Sequence, residues 1–392
     1  MTIALHLVAG VEFNTLPQQL VNGVLLGAIY ALIALGYTMV YGVLRLINFA
    51  HGEVYMLGAY VALFTSYFLG FRPDQYPTGS TVANLLIMLL ASMVVCSLVG
   101  VAIERFAYRP MRGHSRIASL ITAIGVSLLL QYGGALFLPT SPPPSISEKV
   151  NPYYGQSKTF ALAKPSPALA QEAEKLRPAT ESAKASYQAW LSTHPDANEF
   201  ELPADGKALK TTAQDTERKY QDAKHKLDTG GVNLIIQTGQ AVMLIATVVL
   251  MGILTYLVLF TKAGRAMRAV AHAFDSAALM GVNVNSIVTF TFVLGSALAG
   301  AGAMMTATFL GTPLSTFYGL APGVKAFVAA VLGGIGNIPG AVLGGLLMGL
   351  AENTVVWLGY SNYRDAIAFI VLIIVLLFKP GGLMGSSKVE KV

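Results

Sequence analysis

The sequence predicts an all-α polytopic membrane protein with eight or nine transmembrane or re-entrant helices and an external helical hairpin. Three observations predict it. Of 392 residues, 54% are apolar and 12% charged, where soluble domains carry roughly 25% charged residues. The charges are also uneven: residues 141–231 hold 12 acidic and 12 basic side chains, and the other 301 hold 8 and 14, so the net charge of +6 sits on the apolar part. That apolar part divides into runs of about 20 residues, the length a helix needs to cross a bilayer.

In chain order the long runs are 19–44, 48–70, 82–104, 117–138, 232–260 and 286–310. Three shorter or glycine-broken pieces follow at 320–336, 338–358 and 365–379. Broken segments are tolerated at membrane depth only where protein or an aqueous path covers the freed backbone groups, so 320–336 stays open between a span and a re-entrant piece. The first basic residue is Arg45, so the first apolar run is expected as a retained span, not a signal peptide. The chain thus reads as an N-terminal transmembrane half (1–138), an extracytoplasmic polar insert (139–231) and a C-terminal transmembrane half (232–392) carrying a cytoplasmic loop at 261–285. Lipid surrounds the spans.

The basic residues set the expected orientation. Arg45, Arg105, Arg109, Arg112, Arg116, Lys262, Arg265, Arg268, Lys379, Lys388 and Lys391 fall on one side of a nine-span arrangement; Arg72, Lys325 and Arg364 fall on the other. This places loops 105–116 and 261–285 and the C-terminus in the cytoplasm, and the insert outside. Gly23 and Gly27, Gly340 and Gly344, and Gly345 and Gly349 are each four apart, a spacing that lets helix backbones approach closely.

The insert opens irregularly over 139–166, with Pro142, Pro143 and Pro144. Two helical periodicities follow. Leu169, Ala173, Leu176, Thr180, Ala183, Tyr187 and Trp190 form the first, and Leu209, Ala213, Thr216, Tyr220, Ala223 and Leu227 the second. The segment His194 to Asp205, with Pro195 and Pro203, is the expected turn of an antiparallel hairpin. Its charge is balanced, and it reads as a decoration or as a surface for an external partner.

Several chemistries are excluded. Cys96 is the one cysteine, so no disulfide framework or cysteine metal site exists, and a packed thiol is expected. No clustered metal ligands and no G-x-x-x-x-G-K-[ST] phosphate loop occur, so no metal, cofactor or ATPase site of its own is expected. No basic patch carries stacking aromatics, so nucleic acid is not an expected partner. The run Gly333-Gly334-Ile335-Gly336-Asn337-Ile338-Pro339-Gly340 has the wrong spacing for a dinucleotide fingerprint and reads as a membrane turn or helix break.

Two segments remain. Asn48-Phe49-Ala50-His51-Gly52-Glu53 opens the second span; it lies within six residues of a span boundary, where Asn48 is expected to cap the helix. Ionisable residues at membrane depth are usually functional, so Asn48, His51 and Glu53 are candidates for transport or gating. The second is loop 261–285, with a basic helix (Thr261 to His272), Asp275, Ala278 and a helix-ending Gly281. A helix of ~12 residues is not stable alone, so it must dock, and a cytoplasmic partner is expected.

Leu20 to Gly23, Gly27 to Leu32, Asn48 to Glu53 with Met56 to Tyr60, and Gly264 to Ala269 together resemble the permease family of branched-chain amino acid ABC importers, of the LIV-H type. Glu104-Arg105, Tyr108-Arg109-Pro110 and Gly333 to Gly336 with Gly340, Ala341 and Gly344 fit the same pattern. The resemblance covers 19–138 and 232–384 and leaves out the insert. It implies a second homologous permease subunit, two cytoplasmic ATPase subunits and a periplasmic substrate-binding protein delivering a small molecule. It also implies a coupling role for Gly264, Arg265, Arg268, Ala269, Asp275, Ala278 and Gly281. The translocation path is expected near Gly333, Gly334, Gly336 and Gly340, because the helix breaks there. A permease for urea or short amides shares the Asn-x-Ala-His-Gly-Glu pattern and is the same-family alternative. An ion-coupled secondary transporter is the alternative of another class; the sparse charge within the spans argues against it.

Overall fold

The computed structural model describes residues 13–70, 81–139, 157–163, 167–194, 203–229, 232–310 and 314–385. Arg72, Lys388, Lys391, the prolines 142–144 and the centre of the hairpin turn, 195–202, lie outside the described residues. The chain forms two units. One comprises Gln19–Lys158 and Ile236–Val392 with the N-terminal residues; the other comprises Glu12–Gln18 and Thr159–Ile235.

The larger unit is the membrane body. Helix α1, Leu16–Leu44, runs through its centre, with every residue from Gly27 to Val40 buried. Helix α2 is His51–Phe68, and α3 is Thr81–Ile103, continued by a π turn over Glu104–Tyr108 and a last turn to Met111. Helix α4 is Arg116–Phe137, started by Ser115, whose hydroxyl accepts from the Ala118 amide. The remaining helices, past the insert, are α7 (Thr238–Phe260), α8 (Lys262–His272), α9 (Phe274–Leu279), α10 (Val284–Phe309), α11 (Leu320–Gly333), α12 (Ile338–Trp357) and α13 (Ala366–Phe378). Helix α10 packs on α2 and α3, and α11 packs on α12, α13 and α2. The outer faces of α3, α4, α7 and α13 are apolar and exposed, as at Leu90, Leu129, Ile245 and Leu377. Such faces suit a lipid solvent, where only closed backbone hydrogen bonding is required.

Of the spaced glycines, Gly23, Gly27, Gly345 and Gly349 bring α1 against α12, whereas Gly340 and Gly344 lie on Gly333 and Ala329 of α11. A Cβ on Gly27 would lie 2.7 Å from the Leu346 Cα, and Gly349 sits directly on Gly27. Side-chain-free positions thus form one seam in which α1 and α12 touch backbone to backbone, as close helix packing in membranes requires.

Among the described residues, six helices are long and apolar enough to cross a membrane. Helix α11, with 14 residues, rises about 21 Å, short of a ~30 Å hydrocarbon core; α2, with 18 residues, is also short. Both are preceded by non-helical chain, residues 45–50 and 314–319. A Cβ on Gly52 would lie 2.7 Å from the Gly319 carbonyl oxygen, so the starts of these two helices meet.

The smaller unit corrects two expectations. Residues 157–163 are not irregular but form strand β1 (Ser157–Ala163), which pairs with β2 (Val232–Gln237). The expected span 232–260 therefore begins only at Thr238. Gln237 sets that start: its side chain accepts from the first turn while its own amide donates to Gln240 Oε1 at 3.2 Å, a reciprocal cap. The hairpin is as expected. Helices α5 (Pro167–Thr193) and α6 (Ala204–Thr229) pack along the periodic residues, with Ala173, Thr180, Ala213 and Ala223 buried. Thr180 Oγ1 donates to the Thr216 carbonyl at 3.2 Å, and Lys184 pairs with Glu217 at 2.6 Å. At the hairpin's end Trp190 Nε1 donates to Asp205 Oδ2 at 3.0 Å; that bond holds the Asp205 carboxyl below the usual carboxylate range.

Candidate translocation and coupling sites

Asn48, His51 and Glu53 are not at a wetted boundary. Each is at most 2% exposed. Arg45 turns the chain at the end of α1 with φ 54°, and the segment that follows runs back into the body before α2 begins. The His51 ring lies on Gly36, where a Cβ would collide with Nε2, and edge-on to Tyr37 with centroids 4.6 Å apart. Gly36 precedes the end of α1 by eight residues, about 12 Å of helix. Asn48 does not cap α2: the cap position is Ala50, with no side-chain cap bond. Its Oδ1 instead accepts from the Tyr108 hydroxyl at 3.1 Å.

Glu53 lines an inner cavity of about 190 Å³ between α2, α4 and α11, walled by Phe49, Leu128, Val324 and Phe327. Its Oε1 accepts from Ser127 Oγ at 3.3 Å, and its Oε2 is buried with no hydrogen-bond partner. A buried carboxylate oxygen without a hydrogen-bond partner costs free energy, which makes Glu53 a candidate site residue. The two helix starts converge on the same cavity through Gly52 and Gly319.

A second, outer cavity of about 550 Å³ lies where α1 and α7 begin and α10 and α12 end. The segment before and into α11 separates the two: Phe317, Tyr318 and Ala321 line the outer cavity, and Gly319, Leu320 and Gly323 the inner one. Tyr318 stacks on Tyr55 at 5.5 Å. Beside the outer cavity is a charge cluster that sequence reading did not assemble. Glu352, fully buried, accepts from Lys325 Nζ at 2.6 Å, from Tyr30 OH at 2.7 Å and from Arg364 Nε. Lys325 also pairs with Asp365 at 2.6 Å. The available signal was only that Lys325 and Glu352 are rare charges within apolar runs; no local spacing connects residues 27 apart.

At the opposite end, the π turn carries Glu104, fully buried, to Arg109 (3.1 Å), Arg112 and the Thr289 hydroxyl (2.9 Å). Arg112 also donates to Asn285 at 2.6 Å. Arg45, Arg112, His114 and His272 line one cavity there, so the basic residues of α1, α3 and α8 share one end of the body.

Helix α8 docks first on its own chain. Gly264, Met267 and Val270 are buried, and Arg268 Nη1 donates to the Val258 carbonyl at the end of α7. Thr261 caps the helix by accepting from the Gly264 amide at 3.1 Å. Arg265, Ala269, Asp275, Ala278 and Gly281 are exposed, and Gly281 turns the chain at φ 85°. Leu279 and Met280 stand 88% and 85% exposed beside them, an apolar knob not singled out in the sequence.

Gly333, Gly334, Gly336 and Gly340 form the tight turn between α11 and α12. Gly334 and Gly336 have φ 106° and 92°, which side chains disfavour. Residues 381–385 wrap the turn: the Leu383 amide donates to the Leu332 carbonyl at 2.8 Å and Met384 to Gly333 at 3.0 Å. None of the four glycines lines the inner or the outer cavity.

Residues 19–376 match the family described as branched-chain amino acid transport system / permease component. The chain is 36% identical over 376 residues to the high-affinity branched-chain amino acid transport system permease protein BraD of Pseudomonas aeruginosa, covering 96% of this chain and 97% of that one. It is 35% identical over 383 residues to LivH of Escherichia coli K12, covering 97% and 99%. A shorter likeness, 34% over 126 residues and 30% of this chain, reaches the autoinducer 2 import system permease protein LsrC of Yersinia pseudotuberculosis. No solved structure matches.

Proposed function

This chain belongs to the branched-chain amino acid transport permease family, and from that premise we propose how it works. It is a multi-pass permease subunit of an ABC importer in the bacterial inner membrane. Its substrate is a branched-chain amino acid, and the energy comes from separate ATPase subunits, because the chain has no phosphate loop of its own. The observation that carries this reading is the 35–36% identity to BraD and LivH along nearly the whole chain.

The partners are a second homologous permease, two ATPase subunits at the basic end and a binding protein that delivers substrate at the other. The exposed face of α8 and α9, with Arg265, Ala269, Asp275, Ala278 and Gly281, meets the ATPase, and Leu279 and Met280 fill an apolar recess on it. Gly264 and Arg268 hold this face to α7. The inner cavity is the translocation site: the substrate ammonium meets Glu53 and its aliphatic chain meets Phe49, Leu128 and Phe327. Asn48 and His51 hold the start of α2. The glycine turn, Gly333 to Gly340, serves as the pivot joining α11 to α12. ATP binding biases two arrangements of these short helices.

The test is reconstitution of the assembled importer in proteoliposomes with labelled leucine, isoleucine, valine and urea. ATP-dependent uptake of the three amino acids, absent without the ATPase, is the expected result. Uptake of urea alone would move the chain to the short-amide branch. Uptake by the lone chain on an ion gradient would end the importer reading.

A further inference from the structure

The outer cavity has a chemistry of its own. Arg364 lines it, and its side chain is 45% exposed. The guanidinium is held through Nε by Glu352, and the Nη edge makes no hydrogen bond in the described structure. Glu352 itself is saturated: Oε1 takes Lys325 and Arg364, and Oε2 takes the Tyr30 hydroxyl. An incoming cation therefore finds no open carboxylate at Glu352, whereas an incoming anion finds a fixed guanidinium. Anchoring at Nε fixes the plane of the fork and leaves its two terminal nitrogens for a second, bidentate partner. Beside Arg364, Asn353 lines the same cavity; its Nδ2 donates to the Gly349 carbonyl at 3.1 Å, which leaves Oδ1 as an acceptor. The other wall is apolar, with Leu25, Leu26 and Ile29. A cationic fork, a carbonyl acceptor and an aliphatic wall around one cavity match the three parts of an aliphatic α-amino acid.

We propose that the outer cavity is a receiving subsite for that amino acid, with Arg364 taking the α-carboxylate, Asn353 the ammonium, and Leu25, Leu26 and Ile29 the side chain. Glu352 is the positioning residue that aims Arg364. The subsite lies before the inner cavity on the path, with the α11 entry segment between them. This rests on the amino acid importer reading above.

The test uses the complete importer, with its ATPases and binding protein, in proteoliposomes, and reads substrate taken up per ATP hydrolysed. Arg364→Gln lowers leucine uptake per ATP at least about tenfold, the scale of a lost charge-assisted hydrogen bond, and Arg364→Lys recovers part of it. Leu26→Trp narrows the apolar wall and shifts preference from leucine toward valine by about threefold or more, the scale of one methylene in a pocket. This second variant decides the matter if Arg364→Gln does not assemble. Unimpaired uptake per ATP in Arg364→Gln, or an unchanged leucine-to-valine ratio in Leu26→Trp, overturns the subsite alone. A wild-type importer that carries no amino acid overturns the functional reading as well.

Discussion

The Tyr108 hydroxyl donates to Asn48 Oδ1 at 3.1 Å and shares its proton with the Ile47 carbonyl at 3.2 Å. This contact joins the π turn of α3 to the chain segment that ends in Glu53. A π turn shifts register by one residue and often marks a functional position in a helix. Here the same turn carries Glu104, which ties to α10 through Thr289. The link runs from the basic end to the inner cavity.

Tyr108→Phe tests that link. It removes the donor to the buried Asn48 side chain and the half-buried Ile47 carbonyl, a cost of about 1–3 kcal/mol. The expected outcome is a lower melting temperature of the purified complex, with leucine uptake per ATP reduced. Unchanged melting and unchanged uptake would remove the link from the mechanism.

Glu53→Gln keeps the shape of the side chain and removes the charge. Leucine transport should fall at least about tenfold, the scale of a lost bond to a charged group, while assembly with the ATPase persists. Equal transport rates in wild type and variant would show that the inner cavity carries no ammonium.

Arg265→Glu and Arg268→Glu separate docking from folding. Arg265 is exposed, so its reversal should weaken co-purification of the ATPase and leave protease resistance of the loop intact. Arg268 is bonded to the Val258 carbonyl, so its reversal should also expose 261–285 to protease. Identical digestion patterns for the two variants would contradict the assignment.

Glu352→Ala removes the buried partner of Lys325, which is 8% exposed, leaving the lysine only the exposed Asp365 carboxylate and the Tyr30 hydroxyl no acceptor there. Breaking a buried pair by removing one member costs about 3–5 kcal/mol, so yield and melting temperature should drop sharply. Pairing it with Lys325→Met should restore much of the loss. A double variant as unstable as the single one would mean that Tyr30 and Arg364 carry the cluster.

What the sequence disclosed followed the range of the interaction. The hairpin periodicity from Leu169 to Leu227 is local, and every one of those positions is buried or half-buried. Apolar run length gave the spans for the same reason. Strand β2 was hidden because Val232, Ile235 and Ile236 continue into an apolar helix, so run length merges the two. The burial of Asn48, His51 and Glu53 is not legible in the sequence, because the end of an apolar run need not lie at the surface; Arg45 turns the chain back inward. Glu104–Thr289 and Lys325–Glu352 join residues 185 and 27 apart, and nothing in local spacing announces such pairs.

The glycine seam between α1 and α12 has a mechanical consequence. With no side chains between the two backbones, neither helix can slide past the other without losing contact along its whole length. The same bare contact recurs where α11 meets α12: a Cβ on Gly344 would collide with the Ala329 carbonyl oxygen. A methyl group added at Gly27, Gly344 or Gly349 would therefore act as a wedge between backbones.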